Sequence, residues 1–259
     1  MPVNASFDFR GEVVVVTGGG SGIGAGFCRG CAAAGATVVA ADIDGEAARR
    51  VAEQAEGPGT VEAAALDVGD AEAVEAFFED LLMRHGKVDS LVQSAAIQPR
   101  TPVMEMPREE WLKVMDVNLN SAFYAAQAVV PGMVERRRGS IVTFTSGLAR
   151  MGWAKASAYA TTKAAIIAFT KSLAHELVPH NVRANVIAPG VTDSPLFTGP
   201  NTDEEQEFFR RQRGVGTVED VVDLLMFLVS DASDTLTGSV LDREIILSRS
   251  TQTAQPESR

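Results

Sequence analysis

A chain of 259 residues, with 46% hydrophobic and 22% charged side chains, has the length for one large α/β domain or two small ones and the composition of a soluble globular protein. Its formal net charge of −11 argues against nucleic acid or an anionic membrane as the main partner. No apolar run approaches the length of a membrane span, and the first residues lack a basic stretch followed by an apolar one, so a cytoplasmic address is expected.

In chain order, Val13, Val14, Val15 and Val16 form a β-branched run, the composition of a strand buried on both faces of a parallel sheet. The run passes into Thr17, three glycines, Ser21, Gly22, Ile23 and Gly24, and then into an Ala-rich helix to about Gly35. Strand, glycine turn and helix start together make a phosphate-binding device: glycines admit the backbone to a pyrophosphate, and the free N–H groups of the helix start favour an anion. Gly18, Ser21, Gly22, Ile23 and Gly24 are therefore expected at a dinucleotide. Cys28 and Cys31 fall within that helix, where small buried side chains are a better reading than redox or metal chemistry. The histidines are scattered without ligand spacing, so no metal site is expected.

The next predicted strand covers residues 37–41, with Asp42 at its carboxyl end and Ile43 beyond. An acid about twenty residues past the glycines can accept from both hydroxyls of an adenosine ribose and would repel a 2′-phosphate, which favours NAD over NADP. Asp42 and Asp44 are also candidates to cap the following helix. The alternation continues with a helix at 46–55, a strand at 61–66, a helix at 71–84 and a strand at 90–93. Asp67 and Val68 are placed to touch an adenine, and Ser94, Ala95 and Ala96 to let a nucleotide approach the backbone. One long helix is expected from 109 to 134, carrying Asn118.

A strand at 141–145 ends beside Ser146. Tyr159 and Lys163, four residues apart, share one face of the next helix, and an ammonium beside a phenol is expected to lower its pKa towards the range of acid/base work. Alone, such a pair is weak, because any helix offers many; beside a nucleotide site it gains force. A strand at 182–188 leads to Pro189 and Gly190, with Thr192 following. The polar stretch 192–214 is too long for a simple connector and reads as a substrate loop, either a lid or disordered. A helix at 218–229 and a strand at 239–247 close the fold, and 248–259 reads as a frayed tail. Regular β-α alternation implies an α/β fold, a doubly wound parallel β-sheet with helices on both faces, built as a single domain over 1–259.

With these motifs in order, the chain resembles the short-chain dehydrogenase/reductase family, the compact kind with one Rossmann domain, from about Gly11 to Leu247. Thr17 and Gly18, then Gly22, Ile23 and Gly24, match its cofactor turn; Asn118, Ser146, Tyr159 and Lys163 fall on its catalytic tetrad; Asn185 with Pro189 and Gly190 fall on its nicotinamide-side motif. The resemblance implies Tyr159 as acid/base, Ser146 as hydrogen-bond donor to the substrate oxygen, and Lys163 as both tuner of Tyr159 and holder of the nicotinamide ribose. It implies Asn118 as a relay to solvent through its main-chain carbonyl and a water. It also implies a homo-oligomer, dimer or tetramer. Three positions depart from the family: Gln93 and Ser94 stand where it has two asparagines, Ser194 where it has threonine, and Glu244, Ile245 and Ile246 where it often has Asp-Gly-Gly.

The function this suggests is NAD(H)-dependent interconversion of a secondary alcohol and a ketone. The alternatives are an NADPH-dependent 3-oxoacyl-type reductase, which Asp42 and Ser21 disfavour, and a catalytically idle dinucleotide-binding protein, which the presence of both Tyr159 and Lys163 disfavours. The small-molecule pocket is expected to draw on 96–100, 147–153 and the stretch after Pro189.

Overall fold

A computed structural model describes residues 6–243. Its elements run β1 (Val13–Thr17), α1 (Gly22–Ala33), β2 (Thr37–Asp42), α2 (Gly45–Glu53), β3 (Thr60–Ala65), α3 (Ala71–His85), β4 (Ser90–Gln93) and α4 (Arg108–Met115). A π-helical turn (Asp116–Asn120) joins α4 to α5 (Ser121–Arg136). Then come β5 (Gly139–Phe144), α6 (Leu148–Met151), α7 (Ser157–Leu177), β6 (Val182–Ala188), α8 (Pro195–Thr198), α9 (Asp203–Arg213), α10 (Val218–Val229) and β7 (Val240–Asp242), with 3-10 turns at Val178–His180 and Asp231–Ser233.

The strands pair in the order β3-β2-β1-β4-β5-β6-β7, every neighbour parallel. β1 lies inside the sheet and its five residues are all buried, which is why four of them can form an unbroken valine run. Alternation divides it between two cores. Val14 and Val16 meet Phe27, Cys28 and Cys31 of α1 and Val221 and Leu225 of α10. Val15 meets the opposite layer, Phe78 and Leu81 of α3, Val129 and Met133 of α5, and Leu177 of α7. Both cysteines are free and fully covered, and burial pushes the Cys28 thiol up to about 12, so they are inert filling. The chain leaves β1 towards β2 and β3 and then returns to lay β4 on its other side, and that reversal opens a crevice at the carboxyl ends of β1 and β4.

Two expectations change here. The helix expected at 109–134 is interrupted by the π turn, whose one added residue leaves the spacing of apolar positions on either side intact. The stretch 192–214 folds as α8 and α9, and Thr202 and Glu205 form a capping box at the start of α9. The last four residues expected in the closing strand, the tail, and Glu244, Ile245 and Ile246 lie outside the described residues.

Candidate active site

The crevice is built by close approach of backbone. Gly18 and Gly22 have φ of 69° and 50°, a region that disfavours other side chains. A Cβ on Gly18 would lie 2.7 Å from the main-chain nitrogen of Ala95, so the turn after β1 rests directly on the end of β4. A Cβ on Gly24 would lie 2.1 Å from the carbonyl oxygen of Gly18, which makes Gly24 the seat of the turn. Ser21 stands at the N-cap of α1 without a side-chain cap bond, leaving the helix start open to an anion.

Asp42 ends β2 with both oxygens engaged: Oδ2 accepts from the Gly20 N–H at 2.9 Å and Oδ1 from the Asp44 N–H at 3.0 Å. Capping of α2 falls to Asp44 alone, which accepts from the Ala47 N–H at 3.0 Å. The crevice encloses about 290 Å³ and is lined by Gly18, Ser21, Gly22, Ile23, Asp42, Ile43, Asp67, Val68, Ser94, Ala95, Ala96, Tyr159, Lys163 and Pro189. Gly190 and Thr192 face a second cavity instead. Ile97, Lys113 and Val117 also line the crevice; no sequence signal marks them, because α4 reaches it only through the tertiary fold. Gln93 turns away, donating to the Ala122 carbonyl at 3.2 Å inside the core.

Ser146, Tyr159 and Lys163 come together through the register of α7 on β5. Thr143 and Thr170 pair their hydroxyls at 2.8 Å, Thr145 donates to the Lys163 carbonyl at 2.6 Å, and the Lys163 ammonium donates to the Phe144 carbonyl at 3.0 Å. Ser146 Oγ accepts from the Leu148 N–H at 3.2 Å. Burial pushes the Tyr159 phenol up to about 12, against the opposing pull of its hydrogen bond with Ser146. This reverses the expectation that Lys163 lowers it. The Lys163 Nζ lies 5.6 Å from the centroid of the Tyr159 ring and spends its bond on a carbonyl, so desolvation decides. Burial brings Lys163 itself down to about 8. Asn118, in the π turn, uses its side chain structurally: it accepts from the Ile97 N–H at 2.8 Å, donates to the Ile97 carbonyl at 2.9 Å and donates to Thr162 Oγ1 at 3.2 Å.

Tyr159 lies where the crevice meets the second cavity, of about 420 Å³, since it lines both. The wall of that cavity includes Gln98, Arg100, Ser146, Gly147, Met151 and Phe209. Trp153 is set behind it, its ring 5.2 Å from Phe209 and 5.8 Å from Phe208, centroid to centroid. Glu205 fastens α9 over the cavity: its Oε1 accepts from Arg100 at 2.6 Å and from Trp153 Nε1 at 3.2 Å, while Oε2 accepts from the Thr202 N–H at 3.1 Å.

Residues 18–243 match the sequence profile of a family described as enoyl-(acyl carrier protein) reductase. The chain is 36% identical over 235 residues to the 3-oxoacyl-[acyl-carrier-protein] reductase FabG of Thermotoga maritima, covering 90% of this chain and 96% of that protein. The chain belongs to the short-chain dehydrogenase/reductase family. As a short-chain dehydrogenase/reductase it is an oxidoreductase that binds a nicotinamide dinucleotide. It is also 37% identical over 239 residues, covering 90% of this chain and 94% of the other, to a protein of Sphingomonas named 2-dehydro-3-deoxy-L-rhamnonate dehydrogenase (NAD(+)). A short-chain type dehydrogenase/reductase from Mycobacterium ulcerans superposes with a TM-score of 0.83 at 28% identity, over 92% of this chain and 89% of that one. The short-chain dehydrogenase/reductase reading fits the residues present: the open helix start, the Cβ-free approach at Gly18 and the fixed carboxylate at Asp42 would suit a phosphate cradle and a ribose acceptor in one crevice.

Proposed function

We propose that this short-chain dehydrogenase/reductase interconverts a secondary alcohol and its ketone with NAD(H), the chain working as one unit. The observation that carries the reading is the position of Tyr159 at the junction of the two cavities, with Ser146 lining one of them beside it and Lys163 one helical turn away. A nicotinamide dinucleotide in the crevice supplies or accepts the hydride at its ring carbon 4. Tyr159 gives the proton to the substrate oxygen in reduction and takes it back in oxidation. Ser146, steadied by the Leu148 N–H, donates to the same oxygen as negative charge develops on it. Lys163 holds the ribose hydroxyls, and the Asn118 main-chain carbonyl, set by the π turn, relays protons towards solvent through a water.

NAD is the proposed partner because Asp42 presents a carboxylate fixed by two main-chain N–H groups where the adenosine ribose would lie. The name of the Sphingomonas relative supports it. The Thermotoga relative's name supports the second reading, a 3-oxoacyl reductase. The convergence of two hydroxyls on one point suits chemistry at a carbon–oxygen bond, in either reading. Leu112 and Phe123 stay half exposed on α4 and α5, which supports a homo-oligomer through that face. The experiment is a panel of secondary alcohols and ketones, with a 3-oxoacyl thioester, assayed with NAD(H) and NADP(H) by nicotinamide absorbance. Turnover of the thioester with NADPH alone would replace the first reading by the second.

A further inference from the structure

Four arginines face the cavity that contains the Ser146 and Tyr159 hydroxyls: Arg100, Arg150, Arg213 and Arg243. Among the described residues one carboxylate lines it with them, Asp242. The whole chain has 23 basic against 34 acidic side chains, so this wall inverts the balance of the protein around it. A concave site lined by one sign of charge concentrates ligands of the other. Counter-charges outside the lining include Glu205, which bonds Arg100 at 2.6 Å, and Asp220, 3.6 Å from Arg243. Glu205 fixes the Arg100 guanidinium without exhausting it. Arg100 gives Nη2 to Glu205, and among the described residues no other acceptor takes a bond from its five donors.

The Arg100 side chain is 12% exposed, against 18% for Arg243 and 55% for Arg150, which pairs with Asp242. A held guanidinium with an unused edge, partly out of water, is a carboxylate receptor. The cavity is about 420 Å³ and includes the reacting hydroxyls, so the anion and the reacting carbon must belong to one compact molecule.

We propose that the substrate is a small oxo or hydroxy carboxylic acid, with its carboxylate on Arg100 and its carbonyl or carbinol oxygen on Ser146 and Tyr159. This rests on the oxidoreductase reading above. In reduction a hydride adds to the carbonyl carbon and the Tyr159 proton to its oxygen; the carboxylate takes no part in the bond changes and serves to orient.

The test uses the full chain and a ladder of acids, 2-, 3-, 4- and 5-oxohexanoate, each beside its methyl ester, with acetoacetyl-CoA as the arm that places negative charge on distant phosphates. We expect at least one acid to exceed its ester about tenfold or more in kcat/KM, and that ratio to fall about tenfold in Arg100→Gln and to recover in part in Arg100→Lys. Esters equal to or better than their acids on every rung, or acetoacetyl-CoA preferred over every acid, would overturn the proposal. Calorimetric binding of hexanoate and methyl hexanoate decides it independently of turnover and of how the variants fold. Hexanoate should bind at least about tenfold tighter, and equal binding refutes the carboxylate site. Absence of turnover on every ladder member and on the neutral alcohol panel, with hexanoate still preferred, counts against the oxidoreductase reading and leaves the anion site supported.

Discussion

Asp42 should set the choice between NADH and NADPH. Each of its oxygens already accepts one main-chain N–H, at 2.9 and 3.0 Å, and a carboxylate oxygen can accept a second bond. Two ribose hydroxyls donating there would contribute about 1.5–3 kcal/mol each. A 2′-phosphate in the same place loses the bond from the 2′-hydroxyl and meets a like charge. At ~4 Å and an effective dielectric of ~20 the repulsion is about 4 kcal/mol per unit charge pair, and the half-exposed position of Asp42 reduces it by roughly half. Together these give a preference for NADH on the order of a thousandfold. Asp42→Ala should weaken NADH by about a hundredfold or more without bringing NADPH to the wild-type NADH level. The arginines of α2 are engaged elsewhere: Arg49 pairs with Glu46, and Arg50 lies 3.8 Å from Asp44. Dissociation constants from reduced-nicotinamide fluorescence measure both. Wild-type protein that binds NADPH as tightly as NADH, or more tightly, refutes the reasoning.

Tyr159→Phe should lower turnover by about 100- to 10,000-fold while leaving the NADH dissociation constant within a few-fold, as seen by steady-state kinetics beside binding. Because burial holds the phenol up to about 12, wild-type ketone reduction should start with the proton in place across neutral pH, whereas alcohol oxidation should rise as pH increases; oxidation that falls from pH 7 to 10 would contradict this. Lys163, brought down to about 8 from 10.5, costs the fold most below pH 8, and that cost is relieved as pH rises towards 10.5; Lys163→Met should therefore be more stable to urea than wild type at pH 7, by about 2 kcal/mol more than at pH 10. Glu205→Ala removes the box at Thr202 and the bond to Arg100, so the amides of α9 should exchange about ten- to a hundredfold faster with deuterium, while those of β1 stay unchanged.

The sheet was legible because burial on both faces leaves a direct mark: the valine run of β1 has nowhere to be polar. The glycine turn was legible because the sign of φ calls for glycine at Gly18 and Gly22, and close contact demands it again at Gly18. Tyr159 and Lys163 were placed correctly by helical spacing, but the sign of the phenol's shift was not. Spacing gives a distance along one helix and says nothing of what the ammonium bonds to or how deeply the ring lies. The helix at 203–213 was readable in principle, since Thr202 and Glu205 are a capping box by type and separation, yet its charged composition masked it. The arginine wall was not readable at all: residues 100, 150, 213 and 243 meet only after β4, α6, α9 and β7 are in place.

The π turn at Asp116–Asn120 makes the helix through α4 and α5 a device with an adjustable phase. One residue more or less turns everything upstream by about 100° relative to everything downstream. In α4 a single side chain is fully covered, Val114, while Lys113 looks into the crevice. Deleting one residue within the turn would regularise the hydrogen bonding and swing Val114 out of the core and Lys113 away from the nucleotide crevice. This segment is therefore intolerant of changes in length even where it tolerates changes in composition. A length scan through 116–120 would separate the two, since substitutions there preserve the phase and deletions destroy it.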